Sequence, residues 1–218
     1  MTTSKSDLSE RDICTQLITP AIQAAGWDLH TQVREGVTFT NGRVILRGKL
    51  VSRGERKRAD YILYHKPNLP LAVIEAKDNA HSVGAGMQQA LAYAEALAYA
   101  EALDIPFVYS SNGDGFLEHD RTGTGGMVER ALSLAEFPAP AALWARYCAW
   151  KGLSAPDQQQ IAAQDYYSDG SGRDPRYYQR TAINRVVEAI ARGQKRLLLV
   201  MATGTGKTYT AFQISGIT

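Results

Sequence analysis

The chain is poor in cysteine. It has two in 218 residues, Cys14 and Cys148, with no CxxC pair and no His–Cys spacing suited to a metal. That excludes a disulfide framework and a structural zinc site, and it fits a reducing, cytoplasmic compartment. Long apolar runs are missing too. The longest, LLLVMA at 197–202, is about a third of what a membrane-spanning helix needs. The start, MTTSKSDLSERD, has no apolar stretch of the kind a secretory signal carries. Neither sign of charge dominates: 24 Lys and Arg against 22 Asp and Glu leave a net charge of +2, too little to mark a nucleic-acid partner by itself.

What is present is the composition of a globular protein. A hydrophobic content of 44% and a charged content of 21% supply a core and a solvated surface. The length allows one ordinary domain and part of a second. Charge is concentrated locally: Arg43, Arg47, Lys49, Arg53, Arg56, Lys57 and Arg58 are opposed by Glu55 alone between 43 and 58. Read in isolation, such a run is a solvated hairpin.

The order of elements reads as an α/β fold with a mixed sheet. Ser9 opens a helix over 10–25 that Gly26 ends. Strands follow at 31–39 and 42–50, joined by Asn41-Gly42, a hairpin signal. Two more follow at 59–65 and 71–77, joined by the turn KPNLP. A helix comes next, then strands PFVYSSNG and GFLEHD, the turn RTGTGG and a helical region to about Gly152. From 154 to 176 the composition turns to Gln, Asp, Ser, Gly and Pro, which reads as a linker. Beyond it, 177–193 is helical in pattern, and KRLLLVMATGTGKT reads as a buried strand entering a Gly-rich turn. The expected division is 1–153, 154–176 and 177–218.

The first constellation is Asp60 with Glu75-x-Lys77. Two residues apart on a strand, Glu75 and Lys77 project from one face. Pairing through the turn puts Asp60 opposite Glu75 or Ala76. Two carboxylates brought together repel, and a hard divalent cation such as Mg²⁺ relieves this. The metal can activate a water and steady charge on a phosphate. Lys77 is placed to orient or deprotonate that water, or to stabilise the developing charge. The plainer alternative is a cross-strand ion pair of Asp60 with Lys77. Two features favour the chemical reading: the apolar run LAVI delivers Glu75, and the basic run precedes Asp60, where a phosphate backbone would need counter-charges.

On these residues the segment resembles the PD-(D/E)xK nuclease superfamily. The stretches SERDICTQLITPAIQAAGW, RADYILYHKPNLPLAVIEAKDN and PFVYSSNGDGF resemble the N-terminal nuclease domain of type I restriction enzyme R subunits. The resemblance implies that Asp60 and Glu75 bind the metal and that Lys77 assists catalysis. It also implies a Q-x-x-x-Y element on the following helix, matched by Gln89 and Tyr93. The basic run itself makes Arg53, Arg56, Lys57 and Arg58 the candidate DNA contacts. Glu10 matches an accessory acidic position. Ala59 stands where the superfamily name has Pro.

The second constellation is ATGTGKT at 202–208. Gly204 and Gly206 free the backbone to wrap phosphate, with Thr205 between them, Lys207 reaching the β/γ-phosphates and Thr208 reaching Mg²⁺. Met201 replaces the first Gly of the strict P-loop pattern. The form AxxGxGKT resembles motif I of superfamily 2 helicases. Arg176-Tyr177-Tyr178-Gln179 resembles their adenine-reading Q motif, which implies Gln179 as the reader of ATP. By contrast TGTGG at 122–126 has no Lys and reads as a hairpin turn.

Together the order matches a type I R subunit: a Mg²⁺-dependent DNA endonuclease segment, then the start of an incomplete RecA-like P-loop motor. The implied partners are double-stranded DNA and the modification and specificity subunits. The remaining motor motifs would follow Thr218, so the chain is expected to be an N-terminal fragment without ATP hydrolysis. Two other readings stay open, an ATP-binding helicase fragment and a docking remnant without catalysis. LAYAEA occurs twice in succession, at 91–96 and 97–102. Six helical residues turn about 240°, so the copies do not share a face and form no coiled-coil seam.

Overall fold

The computed structural model describes residues 8–40, 44–47, 50–53, 56–77, 103–124, 126–168, 170 and 175–217. Six strands form one sheet in the order β1-β4-β5-β6-β7-β8. They are β1 Val33–Thr40, β4 Arg56–Lys66, β5 Leu69–Ala76, β6 Phe107–Ser111, β7 Gly115–Asp120 and β8 Glu129–Ser133. Two short strands, β2 Val44–Arg47 and β3 Leu50–Arg53, pair with each other in a separate ribbon. Within the large sheet β5 and β6 run parallel and the other neighbours antiparallel. The sheet is therefore mixed, as expected. A parallel pair needs a crossover, and the chain between β5 and β6 supplies it. Both LAYAEA copies fall in that crossover, outside the described residues.

Ser9 caps the first helix reciprocally: its Oγ accepts from the Asp12 N–H, and Asp12 Oδ2 accepts from the Ser9 N–H. The helix runs as α1 Glu10–Ile13, a π-helical turn Cys14–Ile18, and α2 Thr19–Ala24. The widened turn directly precedes Pro20, which has no N–H to continue the ladder. Gly26, at φ +94, ends the helix where the sequence places the stop. Ile13, Ile18 and Ile22 pack with Tyr61, Leu63, Ile74, Phe107 and Tyr109 of the sheet. α3, Pro140–Lys151, adds Leu143 and Tyr147 to the same core. Ile62, Val73, Ile105 and Val108 form a second cluster. All eight positions of β5 are buried, which makes it the axis of the fold. Each fully buried Leu, Ile or Val contributes roughly 1.5–3 kcal/mol.

Three expectations need correction. β1 pairs with β4, not with the strand after Asn41-Gly42. β2 instead meets β3, with Arg47 opposite Leu50 and only Gly48-Lys49 between them, and a Gly-x pair is a hairpin signal of the same rank. β8 lies inside the stretch assigned to helix, because Leu132 alone of its residues is buried and the strand alternation is faint. The run at 197–200 forms no strand. Leu198 is 91% and Val200 81% exposed, and among the described residues no strand pairs with it.

Inside the stretch read as a linker, Pro156 starts a helix, α4 Pro156–Ala162. Its Ala162 packs with Cys148, Leu153 and Ala191. The next helix, α5 Tyr177–Ala191, lies against the sheet domain through polar contacts. Asn184 Nδ2 donates to Asn68 O at 3.0 Å, and Arg180 donates to Tyr64 Oη at 3.4 Å. Buried Glu188 accepts from Tyr147 Oη and pairs with Lys151 Nζ at 3.1 Å. Arg185 grips Asp104 through two nitrogens, at 2.9 and 3.1 Å.

Candidate functional site

The site begins where the sheet divides. β4 and β5 are joined by Pro67 and Asn68 alone, since Lys66 pairs with Leu69. Asn68 takes φ +71, a conformation Asn tolerates better than most residues. The β4–β5 ladder runs from this turn to Tyr61–Ile74 and stops. Beyond that point β4 stays with β1 as far as Arg56, and β5 stays with β6 as far as Ala76. The two central strands separate at Asp60. Its carboxylate Oδ2 accepts the Ala76 N–H at 2.7 Å, doing there what a strand carbonyl does along the rest of the ladder.

Carried one step past Tyr61–Ile74, the register brings Asp60 level with Glu75, and its carboxylate is tied to the next residue, Ala76. Glu75 is 5% exposed, so its carboxylate needs a counter-charge. Lys77 provides one, with Nζ 3.8 Å from Glu75 Oε1. The same Nζ lies 3.7 Å from Oε1 of Glu10, in the first turn of α1. Glu10 thus joins the cluster; its sequence signal is its place just inside the Ser9 cap. The local field is negative. Burial first, then the charges of Asp60, Glu35 and Glu10, push the Cys14 thiol up to about 11, against a hydrogen bond with Tyr61.

Among the described residues no three Asp, Glu, His or Cys side chains gather as a ready-made metal shell. Asp60 and Glu75 offer a pair of carboxylates. That suits Mg²⁺, which takes one or two carboxylates and completes its octahedron with waters and substrate phosphate oxygens. Gln89 and Tyr93 lie outside the described residues, as do the side chains of Arg53, Arg56 and Lys57. Arg58 is described, on β4 two residues before Asp60, and is exposed.

Gln179 and the Gly-rich loop of the second constellation also lie together. Gly204 and Gly206 take φ +79 and +82, and α6 Lys207–Ile217 starts directly after them. Gln179, buried on α5, donates from Nε2 to Thr205 O at 2.9 Å and accepts from the Arg176 N–H at 2.9 Å. A Cβ on Gly206 would collide with that amide nitrogen, so the loop's second glycine makes room for Gln179. Twenty-six residues apart in sequence, Gln179 and Thr205 meet directly. The amide's donor and acceptor are both engaged with backbone here, so its first role is to hold the loop. Lys207 and Thr208 stand exposed at the start of α6.

With this geometry established, comparison with known proteins is informative. Residues 7–125 match the family model for the type I restriction enzyme R protein N terminus. The chain belongs to the type I restriction enzyme R protein family. Residues 173–216 of this R-protein segment match the model for the res subunit of type III restriction enzymes. The chain is 54% identical over 210 residues to the EcoAI type I restriction enzyme endonuclease subunit of Escherichia coli, covering 96% of this chain and 25% of that protein. It is 28% identical to the EcoKI endonuclease subunit of Escherichia coli strain K12, covering 72% of this chain and 16% of that one. Among solved structures it is similar to a fragment of a protein assigned as the HsdR subunit of a type I restriction enzyme from Vibrio vulnificus YJ016. That likeness has a TM-score of 0.77 and 42% identity, over 96% of this chain and 38% of the other. The R-protein segment thus spans about a quarter of the EcoAI subunit.

Proposed function

We propose that this chain carries the DNA-cleaving site of a type I restriction enzyme R subunit, a Mg²⁺-dependent endonuclease that hydrolyses DNA phosphodiesters. The observation that carries the reading is the meeting of Asp60, Glu75 and Lys77 where β4 and β5 separate. Asp60 and Glu75 would hold the cation. When bound, Mg²⁺ supplies a Lewis acid and lowers the pKa of a coordinated water. Lys77, held by Glu75 and Glu10, orients the attacking water or balances charge on the phosphate. The basic run that precedes Asp60 would meet the DNA backbone.

Residues 1–153 are then the nuclease unit, 154–176 the connection, and 177–218 the beginning of a helicase-type ATPase in which Gln179, Gly204, Thr205, Gly206, Lys207 and Thr208 form the ATP site. The assembly partners are double-stranded DNA and the modification and specificity subunits, in the cytoplasm. No helix among the described residues is long and apolar enough to cross a membrane. A second reading, a nucleotide-binding segment beside a silent nuclease fold, draws on the Gln179–Thr205 contact.

Plasmid nicking in the presence of Mg²⁺ separates the two. Asp60→Ala and Lys77→Ala are each expected to lower the rate about 10³-fold, some 4 kcal/mol of transition-state stabilisation. Nicking at the parent rate in both variants would sink the first reading. ATP binding by a parent chain that does not nick, lost in Lys207→Ala, would favour the second.

A further inference from the structure

Strand β1 is interrupted at the step where β4 carries Asp60. Glu35 pairs with Tyr61 and Val37 with Ala59, so Gly36 falls opposite Asp60. Gly36 has φ +60, in the left-handed region where glycine alone is at ease. The space its side chain would fill is taken. A Cβ built on Gly36 would lie within 3.0 Å of Nη2, Nε and Cζ of Arg58. The guanidinium therefore occupies the space a side chain at Gly36 would fill. Arg58 precedes Asp60 by two residues on β4, and the alternation of both strands changes at this step: Tyr61 packs in the first core cluster and Ala59 in the second. The Arg58 guanidinium therefore stands at the register step of Asp60.

We infer that Arg58 holds the DNA phosphate beside the carboxylate pair and that Gly36 is its positioning residue. The inference rests on the cleavage reading of the site and deepens it. Two carboxylates repel an incoming phosphate, and Lys77 is engaged with Glu75 and Glu10. Arg130 and Arg146 are turned inward onto Glu118 and Asp120. Arg58 instead offers an exposed planar fork matched to two phosphate oxygens. An exposed arginine ordinarily gives up rotamer freedom on binding. Seated in the space a glycine leaves, this one is already held. A side chain at 36 would displace it.

The test is a double-mutant cycle on DNA binding by the full chain. It is run in an Asp60→Asn background with EDTA, so that no cleavage interferes. Duplex affinity is followed by fluorescence anisotropy across a salt series. Arg58→Gln is expected to reduce the slope of log K against log[salt] by about one, the loss of one phosphate contact. Gly36→Ala is expected to give the same loss, and the double variant no more than either alone. Because alanine is strained at this φ, Gly36→Asn provides a second variant that tolerates the backbone, with folding checked by circular dichroism. An unchanged slope in Arg58→Gln overturns the assignment of Arg58, and additive losses in the double variant overturn that of Gly36. A parent chain that binds no duplex at low salt overturns the assignment of Arg58 and leaves the cleavage reading to the plasmid assay.

Discussion

Two apolar runs of similar hydrophobicity have opposite fates in this chain. LAVI, ahead of Glu75, is buried at every position in the centre of the sheet, whereas LLLV, ahead of the Gly-rich loop, lies open with Leu198 and Val200 facing outward. The difference is in their neighbours. β5 has β4 on one side and β6 on the other, and helices cover its face. The second run has no paired strand among the described residues, yet the loop after it keeps its form. Gln179 anchors that loop from α5, and Thr205 turns its hydroxyl onto Ala202 O at 2.6 Å. A functional loop can thus be set by local contacts, whereas a functional strand needs a sheet.

The largest expected effect tests the sheet side of this contrast. Glu118, 3% exposed on β7, receives Tyr109 Oη and Arg146 Nη1, each at 2.6 Å, and Arg130 Nη2 at 2.9 Å. Glu118→Ala leaves those partners without their acceptor and is expected to cost about 3–5 kcal/mol, read as a lower urea midpoint. A more direct comparison truncates each apolar run. Ile74→Ala is expected to cost roughly 2–5 kcal/mol, and Leu198→Ala to stay within about 0.5 kcal/mol. Equal losses would mean that the second run is packed as the first is.

The remaining expected effect is a pH dependence. His65, stacked on Trp144 at 3.9 Å, is held down to about 4 by burial, with the charge of Lys66 adding to it. In the unfolded chain it titrates near about 6.5. Between those values the unfolded state binds more protons, so stability is complete above pH ~6.5 and declines as pH falls toward 4. His65→Phe keeps the stack and is expected to shrink the fall in urea midpoint between pH 7 and pH 5. An unaltered fall would assign it to other groups.

The register that brings Asp60 level with Glu75-x-Lys77 was largely legible because its geometry is local. A strand pair joined by a short turn fixes its own register, so Asp60, Glu75 and Lys77 could be matched by counting across KPNLP. The Gly-rich loop was legible because its residue types answer a backbone requirement, and Gly204 and Gly206 meet it with positive φ. Long-range pairing was not legible. The match of Val33 and Val37 on β1 with Leu63 and Ala59 on β4 leaves no mark in either stretch alone, whereas Asn41-Gly42 advertises a nearer hairpin. β8 was missed because one buried residue is too few to make a pattern. α4 was masked by its Gln and Asp content, and its anchor, Ala162, is inconspicuous. Arg58 stood out for its charge, but its setting depends on the missing side chain of Gly36.

The division of the sheet also bears on how such a site can be tuned. β4 and β5 each keep an outer partner past the point where they lose one another, β4 holding Val37 and Thr38 of β1, and β5 holding Ser110 and Ser111 of β6. The gap between the two carboxylates is consequently a property of the flanking strands, much as the span of a pair of tongs is set at the handles. Under the proposed cleavage reading, adjustment of the ion or the substrate can come from residues that touch neither, with the Asp60 and Glu75-x-Lys77 letters unchanged.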